Sequence, residues 1–220
     1  MIEKTIEKYL SDCKGLKELS LRCLNTERWN GEVSLMIIDA AITSVGVNYF
    51  QVVIPKVKDF ERNFIKTNIV NSLKSLSQFP YERAFSIWKN KRTWQVVREI
   101  SLYLSNIADD DKTSLRTWAE KSSLENWKED PIGRIKGVGL ITYQYLRMMG
   151  GVDTVMPDKI VKGFINNILI NTGKDRINND MELIKFIDKL ALKLKVTRVE
   201  ICFLSWLYKN REKIPPDFIK

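Results

Sequence analysis

Apolar residues recur along this chain at helical spacing. Leu183, Ile187, Leu190 and Leu194 follow one another at steps of four, three and four, which places them on one face of a helix. Ile160, Val161, Phe164, Ile165, Ile168 and Leu169 make a second stripe, and Leu35, Ile38, Ile42 and Val45 a third that runs towards Gly46. No alternating pair of segments joined by an Asn-Gly or Asp-Gly turn stands out. The pattern therefore predicts an all-α chain of roughly eight to ten helices of ordinary length. Breaks are expected near Asn30-Gly31, Phe79-Pro80, Asp109-Asp110-Asp111, Asp130-Pro131, Gly150-Gly151, Met156-Pro157, Thr172-Gly173 and Pro215-Pro216.

Composition narrows the chemistry. The 220 residues are 44% hydrophobic and 10% aromatic, enough for a packed core in one large domain or two small lobes. Histidine is absent. That excludes Ser–His–Asp triads, Cys–His dyads, HExxH zinc proteases, Cys2His2 fingers and His-ligated zinc deaminases. Cys13, Cys23 and Cys202 are too few, and odd in number, for a disulfide framework or a four-cysteine metal cluster; they read as small buried residues in a reducing compartment. Met1-Ile2-Glu3-Lys4 lacks the apolar core of a secretory signal, and Asp39 interrupts the longest apolar run, so a soluble, cytoplasmic protein without a membrane span is expected.

With 36 Lys+Arg against 27 Asp+Glu the net charge is +9 at pH 7, which makes a polyanion a plausible partner. Residues 56–100 hold ten Lys/Arg and four Asp/Glu, interleaved with Phe60, Phe64, Trp88 and Trp94. This segment reads either as a nucleic-acid face or as the solvated side of amphipathic helices. The three aspartates 109–111 read as a loop or helix start, because neighbouring residues do not converge on one ion.

The most informative stretch runs from Asp130 to Leu146. Asp130 can cap a short helix whose first residue is Pro131. That helix would stop at Gly137-Val138-Gly139, and a second would follow with Thr142, Tyr145, Leu146 and Met149 on one side. The glycines permit close approach by another molecule, and the free N–H groups at the start of the second helix suit an anion such as a phosphodiester. A plain turn between two helices would use the same glycines. Downstream, Pro157 pre-sets a helix starting near Asp158. A carboxylate there is expected to stay ionised, and would equally serve as an ordinary N-cap.

Gly137-Val138-Gly139, nineteen residues to Asp158, and then an apolar helix together resemble the helix-hairpin-helix (HhH-GPD) DNA glycosylase superfamily, which includes endonuclease III and the 3-methyladenine DNA glycosylases. Met156-Pro157-Asp158 is similar to the Leu-Pro-Asp of alkylated-base members. Ile37 to Asn48 resembles the family's early helix and turn, and Met181 to Tyr208 its closing helices, so the likeness spans roughly residues 30–210. The resemblance implies two helical lobes flanking a DNA-binding cleft: residues 29–151 as a central lobe ending in the helix-hairpin-helix, and 1–28 plus 152–220 as a second lobe carrying the catalytic aspartate at the interface. It implies Asp158 as the catalytic carboxylate and Lys136, Gly137, Val138, Gly139 and Thr142 as DNA contacts. It places Ile141, Tyr145 and Trp29 at the base pocket, while Tyr145 would serve equally as core packing on its helix. A sodium or potassium ion would rest on the backbone carbonyls of Gly133, Ile135 and Val138.

The departures are informative. Bifunctional members carry a Schiff-base lysine two residues after the second hairpin glycine; here that position is Ile141. The position often filled by a wedge glutamine is Ala41, Lys136 stands where proline is usual, and the iron–sulfur cysteines are absent. The resemblance thus implies a monomeric, monofunctional base-excision-repair glycosylase without lyase activity or iron–sulfur cluster. Its partner would be double-stranded DNA holding a damaged base, an alkylated purine foremost. Alternatives are a glycosylase for oxidised or mismatched bases, a non-catalytic helix-hairpin-helix DNA-binding protein, and an all-α interaction protein whose Gly-Val-Gly turn is structural.

Overall fold

A computed structural model describes residues 1–209 of the chain. The described residues form eleven α-helices and no strand: α1 (Ile2–Asp12), α2 (Leu16–Leu24), α3 (Val33–Thr43), α4 (Ile54–Phe60), α5 (Leu73–Gln78), α6 (Lys91–Leu104), α7 (Asp111–Lys121), α8 (Leu140–Met149), α9 (Lys159–Asn171), α10 (Asp180–Leu194) and α11 (Arg198–Lys209). None of these is long and apolar enough to cross a membrane. The three apolar stripes fall on α10, α9 and α3, with Leu183, Ile187 and Leu190 all buried on α10, while Val45 at the end of the third lies beyond α3 and is exposed. Side chains cap helices where the sequence supplies them: Asn90 caps α6, Asp110 caps α7 and Asn179 caps α10. Asp111 reaches across to accept the Leu73 N–H at the start of α5, 2.8 Å away.

α3 is the axis of the molecule. Every residue from Val33 to Thr43 is buried, and α4, α5, α6, α7 and α8 all pack on it. A helix apolar all round belongs in a core; the one charge on this one, Asp39, must therefore find its partners inside. Its Oδ2 accepts from the Trp29 indole (2.8 Å), the Tyr49 hydroxyl (2.9 Å) and the Tyr145 hydroxyl (3.0 Å), and its Oδ1 accepts from Thr43 (3.0 Å). The buried Arg28 guanidinium lies 3.8 Å from Oδ2 and donates to the Tyr49 hydroxyl at 2.6 Å. Burial pushes the Asp39 carboxyl upward, against the opposing pull of Arg28 and of the Trp29, Tyr49 and Thr43 donors. Trp29 and Asn30 adopt left-handed backbone conformations, with φ of 52° and 56°, each costing about 1–2 kcal/mol. This tight turn delivers the indole to the carboxylate. Tyr49 arrives on a wide π-helical turn (Tyr49–Val53) that leads into α4.

Around this axis the closest helix pairs fall into two sets. α3 to α8 pack among themselves, while α1 and α2 pack with α9, α10 and α11, and α2 also touches α8. The aromatics of the basic stretch turn inward. Phe60 stacks on Trp94 at 5.5 Å, and Phe64 and Phe79 join them. Trp88 is half-buried, its indole bonded to Thr93. These rings build the core under α6 and do not interleave with the exposed Lys58, Arg62, Lys66, Lys74, Lys91 and Arg92.

The helix expected to begin at Pro131 is not formed. Residues 124–138 are a succession of turns, with only single bonds such as Arg134 N–H to the Asp130 carbonyl (2.9 Å). Asp130 caps this turn through the Ile132 N–H (2.8 Å) and also accepts the Trp118 indole. Pro131, Gly133, Gly137 and Gly139 fall within nine residues. Glycine's backbone freedom works against the propagation that offsets helix nucleation. Gly133 is fixed by space, since a Cβ there would lie 1.7 Å from the Trp127 carbonyl oxygen.

Replacing Asp39 with alanine strands Arg28 and four donors in the core. The Asp39→Ala variant should lose about 3–5 kcal/mol of unfolding free energy in urea titrations. A loss below about 1 kcal/mol would show the network to be dispensable.

Candidate functional site

The turn Ile135-Lys136-Gly137-Val138 closes on a Val138 N–H to Ile135 carbonyl bond of 3.0 Å. Gly137 has φ of 113°, and a Cβ there would lie 2.8 Å from Val96 and 3.0 Å from the Arg92 guanidinium nitrogen, so the turn is pressed against the start of α6. Gly139, with φ of −113° and ψ of 176°, precedes α8 without any side-chain cap. The first bond of α8 runs from the Tyr143 N–H to the Gly139 carbonyl. The N–H groups of Leu140, Ile141 and Thr142 consequently lack an intrahelical acceptor. Thr142 is buried, and its hydroxyl makes no hydrogen bond among the described residues. Lys136 and Gly139 are exposed.

Asp158 is delivered by a second polar network. Arg147 of α8 donates to the Ser122 hydroxyl (2.7 Å) and to the Gln144 side-chain oxygen (2.8 Å); Gln144 in turn donates to Thr154 (2.7 Å) and to the Val155 carbonyl (3.0 Å). Asp153 takes the Arg198 and Val199 N–H groups and thereby caps α11. The extended chain between these anchors places Asp158 as the N-cap of α9, accepting from Ile160 (2.9 Å) and Val161 (2.8 Å). Sequence reasoning expected the helix start to keep this acid ionised; burial opposes that and raises its proton affinity without neutralising it at pH 7. With 8% of its surface exposed, Asp158 is raised to about 6, against the opposing Val161 and Ile160 N–H groups, the Trp206 indole and the Lys209 charge.

Two cavities adjoin along one surface. The first, about 380 Å³, is lined by Ala41, Val45, Arg92, Gly137, Gly139 and Thr142 among others. The second, about 310 Å³, is lined by Gly46, Asn48, Tyr49, Asp158, Lys159, Trp206 and Lys209 among others. Ser44 and Ile141 line both. Of the residues singled out from sequence, Gly137, Gly139, Ile141, Thr142 and Asp158 thus converge, with Lys136 and Val138 in the adjoining turn. Trp29 and Tyr145 line neither cavity: both spend their polar atoms on Asp39, and Tyr145 is fully enclosed. The aromatic corner beside Asp158 is instead Tyr49 and Trp206, edge to face at 4.6 Å and 74°. Sequence reasoning missed both. For Tyr49 the available signal was the lone acid in the apolar run 33–43, which demands donors nearby.

Among the described residues no cluster of three or more acidic or cysteine side chains could hold a metal ion. Gly133, Ile135 and Val138 offer only neutral carbonyls, and that of Ile135 already accepts the Val138 N–H.

Because the folded chain holds the Asp158 proton more tightly than the unfolded chain, stability falls as pH rises from about 4 to about 6 and stays lower above it. An asparagine in its place would keep an oxygen for both α9 N–H groups and carry no charge. The Asp158→Asn variant should therefore exceed the wild type by about 1–3 kcal/mol at pH 7.5, with the gap closing near pH 4. A pH-independent difference in thermal denaturation would contradict the desolvated carboxylate.

The chain belongs to a family described as a domain of unknown function, DUF8548, whose model matches residues 7–210. No curated protein and no solved structure matches it.

Proposed function

We propose that this DUF8548 member is a monofunctional DNA glycosylase. It would hydrolyse the N-glycosidic bond of a damaged base turned out of the duplex, an alkylated purine foremost. The observation that carries the reading is the pair of adjoining cavities: one holds the uncapped start of α8, the other Asp158, and they meet at Ser44 and Ile141. In this reading the Gly137–Gly139 turn and α8 act as a helix-hairpin-helix whose first helix has shrunk to a turn. A phosphodiester lies against the α8 N–H groups, with Lys136 and Arg92 beside it.

The base swings out at a cost of a few kcal/mol, less when it is damaged or mispaired. It enters the second cavity next to Tyr49 and Trp206. Breaking the C1′–N bond leaves its electron pair on the base and a cationic sugar behind. Asp158, ionised above about 6, stabilises that cation and accepts the proton of the water that attacks C1′. A positively charged alkylated base departs without a general acid, which suits a chain lacking histidine. Ile141 offers no amine where a Schiff-base lysine would stand, hence hydrolysis without strand cleavage.

The test is a panel of lesion-bearing duplexes treated with alkali after incubation. Wild-type protein should release at least one alkylated purine, at a rate that rises with pH through about 6, and Asp158→Asn should release none. Inactivity on every lesion, or undiminished release by the variant, would overturn the reading. Strand cleavage without alkali would overturn its monofunctional part and direct attention to Lys159 and Lys209 in the same cavity. Separately, Lys136→Ala should weaken binding to all sequences alike and lower the salt dependence by about one counterion; an unchanged salt slope would remove Lys136 from the interface.

A further inference from the structure

The two oxygens of Asp158 stand in different surroundings. Oδ1 takes both N–H groups at the start of α9, from Ile160 and Val161, and neither bond uses Oδ2. The buried Trp206 of α11 lines the same cavity, and its indole bonds the Asp158 side chain. Cys202, one turn earlier on α11, bonds the Met156 backbone just before Asp158.

Trp206 is itself fixed from behind. Its ring meets Tyr49 edge to face at 4.6 Å and 74°. The Tyr49 hydroxyl donates to Asp39 (2.9 Å) and accepts from Arg28 (2.6 Å). Phe203, three residues before Trp206, lies 5.9 Å from the same Arg28 guanidinium. Two aromatic rings thus seat α11 on the buried Asp39 network. An ordinary N-cap requires nothing of this kind, since Oδ1 alone serves α9.

From this arrangement we propose that Trp206 is a positioning residue whose indole N–H holds Asp158 Oδ2, fixing the rotation at which this oxygen faces the cavity. The chemical consequence rests on the proposed function. A carboxylate aimed in advance stabilises a cation at C1′ without reorienting as the bond breaks. The indole also favours the ionised acid by donating to it. The other groups around Asp158 do not replace it. Burial holds Cys202 and Tyr49 in their protonated forms, and Lys159 and Lys209 reach the cavity on flexible, exposed stems.

The first test leaves Trp206 intact. In NMR spectra of the isotope-labelled full chain without DNA, one indole N–H should titrate with a midpoint near 6, and Asp158→Asn should abolish that response. The absence of such an indole would overturn the proposal. Trp206→Phe keeps a ring against Tyr49 and removes the N–H. The Asp158 carboxyl, followed by NMR, should then titrate about one pH unit higher. An unmoved midpoint would overturn the proposal. On an alkylated duplex, Trp206→Phe should shift the pH–rate midpoint upward by the same amount and lower kcat about tenfold, with KM unchanged. A raised KM with unchanged kcat would make the ring a base contact and overturn the positioning role. Both NMR responses as expected, with no lesion released by wild type, would retain the bond between indole and carboxylate and overturn only the glycosylase.

Discussion

A single buried carboxylate sets the terms of this structure. Asp39 sits in the middle of a helix enclosed on every side, where an unpaired charge would cost several kcal/mol. The chain answers with Thr43 from the same helix, and with three further donors and an arginine from other parts of the sequence. Each of the three arrives with its own segment: Trp29 on a left-handed turn, Tyr49 on a π-helical one, Tyr145 on α8. Once those three are fixed, so is the wall of the second cavity, because Tyr49 forms part of it, and so is the rotation of α8, which carries Ile141 and Thr142 into the groove. The polar core thus acts as a registry device, locating a site that contains none of its charged members.

The same accounting explains the second anchor. Gln144 and Arg147 lie on α8 with Tyr145, so the helix locked by Asp39 also grips the extended segment that ends in Asp158. Asp158 keeps two helix N–H bonds, yet loses enough solvent for its proton affinity to climb. A cap alone would be equally stable exposed. Its burial therefore costs stability at neutral pH, where the carboxylate is charged.

Much of the helical frame was legible. The stripes on α3, α9 and α10 follow from the 3.6-residue period, and the end of α3 near Gly46 from glycine's left-handed freedom. Asp158 as an N-cap was legible too, since Pro-Asp before an apolar run signals a helix start. What could not be read was anything depending on distant partners. Lys56 to Ile100 carries aromatics and cations in equal view, and only packing tells that Phe60, Phe64 and Trp94 face inward. The helix from Pro131 failed because Gly133 interrupts it and is held there by the close approach of the Trp127 carbonyl. Tyr145 and Trp29 were assigned to a pocket on position alone, and only the structure shows that both donate to Asp39.

The turn Ser44-Val45-Gly46 separates the two cavities, and this partition has a mechanical consequence. Because it ends a helix buried along its whole length, the partition ties the spacing between the start of α8 and Asp158 to the packing of the core. A polymer spanning both cavities has to supply the deformation itself. Binding would then favour whichever strand is cheapest to bend and unstack, so weak points in a duplex would be sorted by their compliance before any base is touched.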